Sequence, residues 1–332
     1  MVSIIMPINN SAIYLSECLD SIINQSYENW ELIAVNNGSK DNSLEILKKY
    51  ELTDKRIKVY HIEQANLLKA LRMGYNKSKG RYIHRMDSDD KMPKYKLSIM
   101  VKELDNYGDG FVITGGTQSF SDEQKIGNGF KRYDDWLYKV SKENSHTSEI
   151  YRECVIPSNC WLVSRKDFDL IGGFDSNIFP EDYDLCFRFY ERKIQIIGID
   201  KILHFWRDHS SRISRNWECY SDNRFFNIKI NYFSKIDRNY NRPLVIWGAG
   251  KNGKDLIKLF KNNESKIYWV CDNNNKIGKD IYDIKVEDFS IIKDLKNPQI
   301  IIVVASPKGQ KKIEKFLLSI KKIKGVDYWF FS

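Results

Sequence analysis

The chain has 332 residues, 42% of them hydrophobic and 29% charged, enough to bury a sizeable core. At roughly 100–200 residues per domain, two domains are expected. No apolar run approaches the ~18 residues of a membrane span, and Met1–Pro7 reads as a first strand rather than an export leader. The six cysteines (Cys18, Cys154, Cys160, Cys186, Cys219 and Cys271) show neither Cys-x-x-Cys nor zinc-ligand spacing, which predicts unpaired thiols in a reducing cytoplasm. The net charge of +9 is uneven: residues 241–332 carry 18 basic and 10 acidic side chains, whereas residues 1–240 carry 35 and 34. These lysines stand at helix-surface spacing without interleaved stacking aromatics, so no nucleic-acid partner is expected. A solvated basic face or peripheral contact with an anionic bilayer remain the two readings.

In chain order, Val2–Pro7 reads as a strand, and Tyr14–Gln25 sets Leu15, Cys18, Leu19, Ile22 and Ile23 on one helical face. Strand and helix then alternate: strand 30–35, helix 41–50, strand 57–61, helix 67–76 and strand 82–86. That alternation predicts an α/β fold with a mainly parallel, doubly wound sheet, whose ligands bind beyond the carboxyl ends of the strands. Pro93 opens a helix to about Asn106, 111–114 is a strand, and 119–144 reads as polar and irregular. A strand at 161–164, helices at 166–171 and 182–192, and a long aromatic-rich helix at 215–234 follow. The polar stretch 237–243, ending in proline, reads as a linker between a domain of residues 1–236 and one of residues 243–332.

The sharpest local feature is Arg85-Met86-Asp87-Ser88-Asp89-Asp90, three carboxylates in four residues directly after an apolar strand. Crowded carboxylates repel unless a cation compensates them, and hard divalent ions are commonly held by one or two carboxylates plus substrate phosphates. An acidic turn or helix cap explains the same residues without chemistry.

Together with further motifs, this segment resembles the family 2 glycosyltransferases of the GT-A fold. The resemblance runs through Val2–Asn10, Tyr14–Ser26, Glu31–Ser39, Lys79–Ile83, Met86–Asp90, Gly172–Asp175, Pro180–Leu185 and Trp206–His209, in family order over about the first 215 residues. It implies inverting transfer of a sugar from a nucleotide-diphosphate donor to an acceptor hydroxyl, with Mn²⁺ or Mg²⁺ as cofactor. A glycan or lipid-linked glycan would be the acceptor, in surface polysaccharide assembly. By the same resemblance Asp89 and His209 would hold the metal, and Asp182 would be the base. Asp87 would lie nearer the ribose or share the ion, and Arg207 would pair with the diphosphate or with neighbouring Asp208. Pro7, Asn9, Asn36, Asn37 and Arg72 would line the donor pocket. Asn36-Asn37 stands where the family commonly has two aspartates, which replaces a carboxylate acceptor with amides. Asp90 is expected only to cap the next helix.

The second module opens with Leu244–Trp247, then Gly248-Ala-Gly250-Lys-Asn-Gly253, a helix over 254–261 and a strand 267–271 ending at Asp272. Gly248, Gly250, Gly253 and Asp272 match a dinucleotide fingerprint in a strand–loop–helix context. The module resembles the small Rossmann-like domains of sugar acetyltransferases that contact nucleotide sugars. Two alternatives to glycosyl transfer follow: a nucleotide-sugar oxidoreductase centred on this loop, or a catalytically silent nucleotide-sugar-binding partner.

Overall fold

The computed structural model describes residues 1–123, 125–210, 212, 225–260 and 266–332. Contacts divide the chain into two compact units, Met1–His146 with Val155–Tyr220, and Thr147–Cys154 with Ser221–Ser332. This division lies upstream of the 237–243 linker read from composition. Within the second unit Tyr151 donates its hydroxyl hydrogen to Asp237 Oδ2 at 2.6 Å and stacks on Phe331.

The first unit is built on seven strands: β1 (Val2–Ile8), β2 (Trp30–Asn37), β3 (Ile57–Ile62), β4 (Tyr82–Arg85), β5 (Phe111–Phe120), β6 (Trp161–Ser164) and β7 (Gln195–Arg207). Their order is β3-β2-β1-β4-β6-β5-β7, parallel throughout except for β6, which runs against both neighbours. Every residue of β1 and β2 is buried, which is why these strands read as near-continuous apolar runs rather than alternating ones. The helix Ala12–Ile23 lays Leu15, Cys18, Leu19 and Ile22 on the core that also holds Ile4, Met6, Leu32 and Ala34. Each large aliphatic side chain so buried contributes about 1.5–3 kcal/mol. On the opposite face Ile33 and Val35 pack against Ala70 of the helix Leu67–Lys77.

Gly80 permits the close approach that starts β4. Its amide donates to Ser3 Oγ at 2.7 Å, and a Cβ there would stand 2.6 Å from the Ser3 nitrogen. Chain order turns back between β1 and β4, since β2 and β3 lie on one side of β1 and all later strands on the other. The crevice of this sheet therefore opens between the loops after β1 and β4.

Two elements differ from the sequence reading. A helix spans Asn128–Glu143 in the stretch expected to be irregular; it buries only Leu137, Val140 and Ser141, too thin a stripe to stand out. Strand β7 is thirteen residues long, but its Asp200 and Lys201 are exposed and interrupt the apolar pattern. Of the helix expected at 215–234, residues 215–224 lie outside the described residues, and the remainder is helical over Phe226–Tyr232.

The second unit holds β8 (Leu244–Trp247), β9 (Ile267–Cys271), β10 (Asp280–Ile281), β11 (Ile284–Asp288), β12 (Gln299–Ile302) and β13 (Tyr328–Phe330). The order is β10-β11-β9-β8-β12-β13, with only the β10–β11 pair antiparallel. Val245, Trp247, Ile300 and Ile302 form its core with Ile313 and Leu317 of the helix Pro307–Ser319. Among the described residues no helix is long and apolar enough to cross a membrane.

Candidate active site

The loops after β1 and β4 meet directly. Ser11 Oγ and Ser88 Oγ are 2.6 Å apart, and the Cys18 thiol lies 3.4 Å from the Asp87 carbonyl oxygen. The acidic run therefore sits at the reversal of the sheet, where the topology opens a crevice.

Asp89 faces His209, with Nε2 to Oδ2 at 2.9 Å. Burial pushes the Asp89 carboxyl up, but the His209 hydrogen bond and the charge of Arg212 outweigh it and hold Asp89 below its ordinary value. Tyr14 packs its ring 4.8 Å from that of His209. Among the described residues no three His, Cys, Asp or Glu side chains converge as a complete metal shell. A carboxylate and an imidazole whose ligating atoms already meet nonetheless suit a hard divalent ion that takes its other ligands from a phosphate and water.

Arg207 takes a different place from the one expected. It is 1% exposed, lies between the rings of Tyr14 and Phe120, and donates to Glu17 and Asp122 and, through Nε at 2.7 Å, to the Asp89 carbonyl. Its guanidinium is used beneath the acidic turn, bracing Asp89 from behind rather than reaching for a diphosphate.

Asp90 is not a helix cap. Its Oδ1 accepts from the Arg207 amide at 2.7 Å, and its Oδ2 meets His204 Nε2 at 3.0 Å and the Asn159 amide. His204 Nδ1 in turn meets Lys96 Nζ at 3.1 Å, and all four side chains are buried. Burial, then the charges of Asp89 and Asp87, hold the Asp90 carboxyl well above its ordinary value, while burial draws Lys96 down to about 8. Asn159 also donates to Asp87 Oδ2 at 3.3 Å, so this polar core ties β7 to both ends of the acidic turn. Sequence reasoning passed over Lys96, Asn159 and His204, because contacts so distant in the chain leave no local pattern.

Arg85, the last residue of β4, was also passed over. Its Nε donates to Asp87 Oδ1 at 3.0 Å and its Nη1 to Glu181 Oε1 at 2.9 Å. Glu181 and Asp182 open the helix Glu181–Glu191, and the three charged groups line a small cavity with Ser158, Trp161 and Phe174. Burial, then the neighbouring Glu181 charge, push the Asp182 carboxyl up to about 7 against the opposing pull of Arg85. Glu181 Oε2 is buried without a hydrogen-bond partner. A carboxyl poised near neutrality beside a fixed guanidinium can accept a proton at physiological pH.

Along the β1 and β2 ends, Pro7 is buried and Asn9 donates to the Asn37 carbonyl at 2.7 Å. The Asn37 side-chain oxygen is already taken by the Asn66 amide at 2.6 Å. Asn36 Nδ2 lies 2.9 Å from His61 Nδ1 and leaves its own Oδ1 buried without a partner, so Asn36 retains a wholly unused acceptor, whereas Asn37 Oδ1 already accepts one bond. Arg72 stands away from this group. It donates to the carbonyls of Phe174, Asp175 and Ser176 at 2.9–3.0 Å and to Asn177 Oδ1 at 2.7 Å, clamping the loop that leads to Glu181 and Asp182.

In the second unit, Gly248 and Gly250 form the loop after β8, and Asp272 is exposed just past β9. A Cβ on Gly253 would fall 1.8 Å from the Gly248 carbonyl oxygen, so only glycine lets the helix Lys251–Phe260 pack this closely. Trp269 Nε1 donates to that same carbonyl at 2.9 Å, and Lys276 Nζ to the Ala249 carbonyl at 2.6 Å. The loop is thereby braced as a packing element.

The sequence is 30% identical over 222 residues to glycosyltransferase GlyA of Streptococcus pneumoniae, covering 65% of this chain and about a third (32%) of that protein. It is 29% identical over 245 residues to the O-antigen biosynthesis glycosyltransferase WbnJ of Escherichia coli, covering 67% of this chain and 86% of WbnJ. Among solved structures, Staphylococcus aureus TarS 1-349 in complex with UDP-GlcNAc superposes with a TM-score of 0.56 at 18% identity, covering 79% of this chain and 71% of TarS. The mannosyltransferase PcManGT from Pyrobaculum calidifontis, in complex with GDP-Man and Mn²⁺, gives 0.54 at 16% identity, covering 70% of this chain and 63% of that one. The shared architecture is the GT-A fold. The family model for glycosyl transferase family 2 matches residues 3–172, the stretch that contains β1 to β6 and the acidic turn, and the chain belongs to that family.

Proposed function

We propose that this chain transfers a sugar from a nucleotide-diphosphate donor to an acceptor hydroxyl with inversion at the anomeric carbon, in assembly of a surface polysaccharide or related glycan. The observation that carries the reading is the bridge from Asp87 through Arg85 to Glu181, which ties the acidic turn to the helix start that carries Asp182. The nucleotide sugars bound to TarS and PcManGT, and the Mn²⁺ of the latter, support the donor class and the ion. The O-antigen role of WbnJ supports the product class.

Asp89 and His209 would hold Mn²⁺ or Mg²⁺. Such an ion, when bound, stabilises the charge that develops on the leaving diphosphate. Asp87 would face the ribose, and Asn36, with its unused acceptor, the base. As the bond between the anomeric carbon and the diphosphate oxygen breaks, the acceptor oxygen bonds to that carbon from the opposite face. Its proton passes to the Asp182 carboxylate, and the nucleoside diphosphate leaves. Arg85 holds Glu181 and tempers the proton affinity of Asp182, while Arg207 keeps Asp89 in place from below. The dispersed cysteines support a reaction in the cytoplasm, and the acceptor would be a glycan or lipid-linked glycan. Gly248 and Gly253 would serve packing of that loop, while Gly250 and exposed Asp272 would be the positions open to a nucleotide.

The test is transfer measured against a panel of nucleotide sugars with the wild-type chain and Asp182→Asn. Turnover on one donor that falls about 10²–10⁴-fold in the variant, at unchanged donor affinity, supports the assignment. Wild-type turnover in the variant sinks it.

A further inference from the structure

The helix Pro307–Ser319 buries Ile313 and Leu317 in its own unit and turns Lys308, Lys311, Lys312 and Lys315 outward at i, i+3, i+4 and i+7. These four exposed lysines line one open concavity with Pro307. None of them forms an ion pair or hydrogen bond among the described residues. The nearby acids are engaged elsewhere: Glu314 lies 3.5 Å from Lys324, and Asp327 pairs with Arg242 at 2.5 Å. Like charges three and four residues apart weaken a helix, so this stripe opposes the fold unless something anionic covers it.

The end of this helix and the turn that follows it carry exposed aliphatic side chains. Leu318 is 61% exposed, Ile323 60% and Val326 52%. Leu318 follows Lys311 by seven residues and lies on the edge of the lysine face. The turn starts from the helix end, Lys321 N donating to the Leu318 carbonyl at 3.0 Å, and closes on itself through Val326 N to the Ile323 carbonyl at 3.3 Å. Unpaired lysines beside aliphatic groups match an anionic headgroup layer over acyl chains. Nucleic acid would instead call for exposed stacking rings, and this face has none among its described residues.

We propose that this face docks on an anionic lipid bilayer, with the lysines over the headgroups and Leu318, Ile323 and Val326 at the acyl boundary. The docking is independent of the sugar-transfer reading, because its readout is vesicle binding and not turnover.

The experiment is co-sedimentation of the full chain with phosphatidylcholine vesicles, with and without about 30% phosphatidylglycerol, in low and high salt. Binding to the anionic vesicles alone is expected, weakening as salt shortens the Debye length from ~8 Å at physiological strength. Changing Lys308, Lys311, Lys312 and Lys315 together to Gln should cost at least ~100-fold in affinity, since each lysine near such a surface is worth about fivefold. The four sites are exposed and their like charges repel along the helix, so the melting temperature should hold or rise. A control with Gln at Lys49, Lys55, Lys94 and Lys102 removes the same charge elsewhere and should bind like wild type. Leu318→Ser with Ile323→Ser should reduce the binding that persists in high salt. Absence of wild-type binding to the anionic vesicles, equal loss in the control, or lysine-dependent binding of single-stranded RNA in place of vesicles would each overturn the proposal.

Discussion

Arg85 holds Glu181 at 2.9 Å across 96 positions of sequence, and the same guanidinium holds Asp87 two residues away. One buried cation thus joins the strand end that carries the acidic turn to the helix start that carries Asp182. Two carboxylates are fixed by it and a third has its proton affinity moderated.

Removing that cation should therefore do more than loosen the fold. Arg85→Met leaves Glu181 buried without a counter-charge, a loss on the order of 3–5 kcal/mol. It also removes the charge that draws Asp182 downward, so the acid limb of kcat against pH should move to higher pH. Arg85→Lys should restore the limb more fully than the stability, because an ammonium supplies charge but not the two-pronged geometry. Profiles of kcat from pH 5 to 9, beside urea unfolding curves, check both statements.

The proton affinity of Asp182 also sets a direction for the native enzyme. With its carboxyl pushed up to about 7 by burial and Glu181, kcat should fall below neutral pH as the base becomes protonated. The stability effect has the opposite sense. A carboxyl raised by folding favours the folded state fully below its unfolded value near 3.9, and this contribution is lost as pH rises through about 7. Asp182→Asn, which cannot ionise, should melt higher than wild type at pH 8 and show no such gain at pH 4. Thermal unfolding at the two pH values decides it.

Much of this arrangement was legible in the chain. The alternating pattern gave the parallel strands of the first unit, and the acidic run after β4 marked the crevice, because a buried parallel sheet leaves continuous apolar runs and its ligands gather at strand ends. What stayed hidden depends on contacts far apart in sequence. Arg72 reads as a donor-pocket residue until the loop 174–177 folds against it. Arg207 reads as a phosphate ligand until Glu17 and Asp122 enclose it. Lys96 reads as one helix lysine among many, although it is fully buried against His204.

The clamp by Arg72 leads to a third prediction. Its four acceptors all lie in the loop that leads to Asp182, so Arg72→Ala should lower kcat while leaving donor affinity nearly unchanged. If the variant instead lost donor affinity at constant kcat, Arg72 would belong with the donor pocket after all. Steady-state kinetics with the donor varied at fixed acceptor separates the two.

Arg207 should act mainly on stability. Its guanidinium contacts Glu17, Asp122, two rings and the Asp89 carbonyl, so Arg207→Met should lower the urea midpoint. Arg207→Lys should recover only part of it, for want of the planar fork.

The central claim is that Asp89 and His209 together hold a divalent ion for a nucleotide-diphosphate donor. Its most direct test is calorimetric titration of the donor identified by the panel into wild type and Asp89→Asn, with and without Mn²⁺. The account predicts that Mn²⁺ tightens donor binding to wild type and that Asp89→Asn abolishes this gain, because an amide lacks the anionic oxygen a hard cation prefers. Mn²⁺ tightening donor binding equally in both proteins would contradict it.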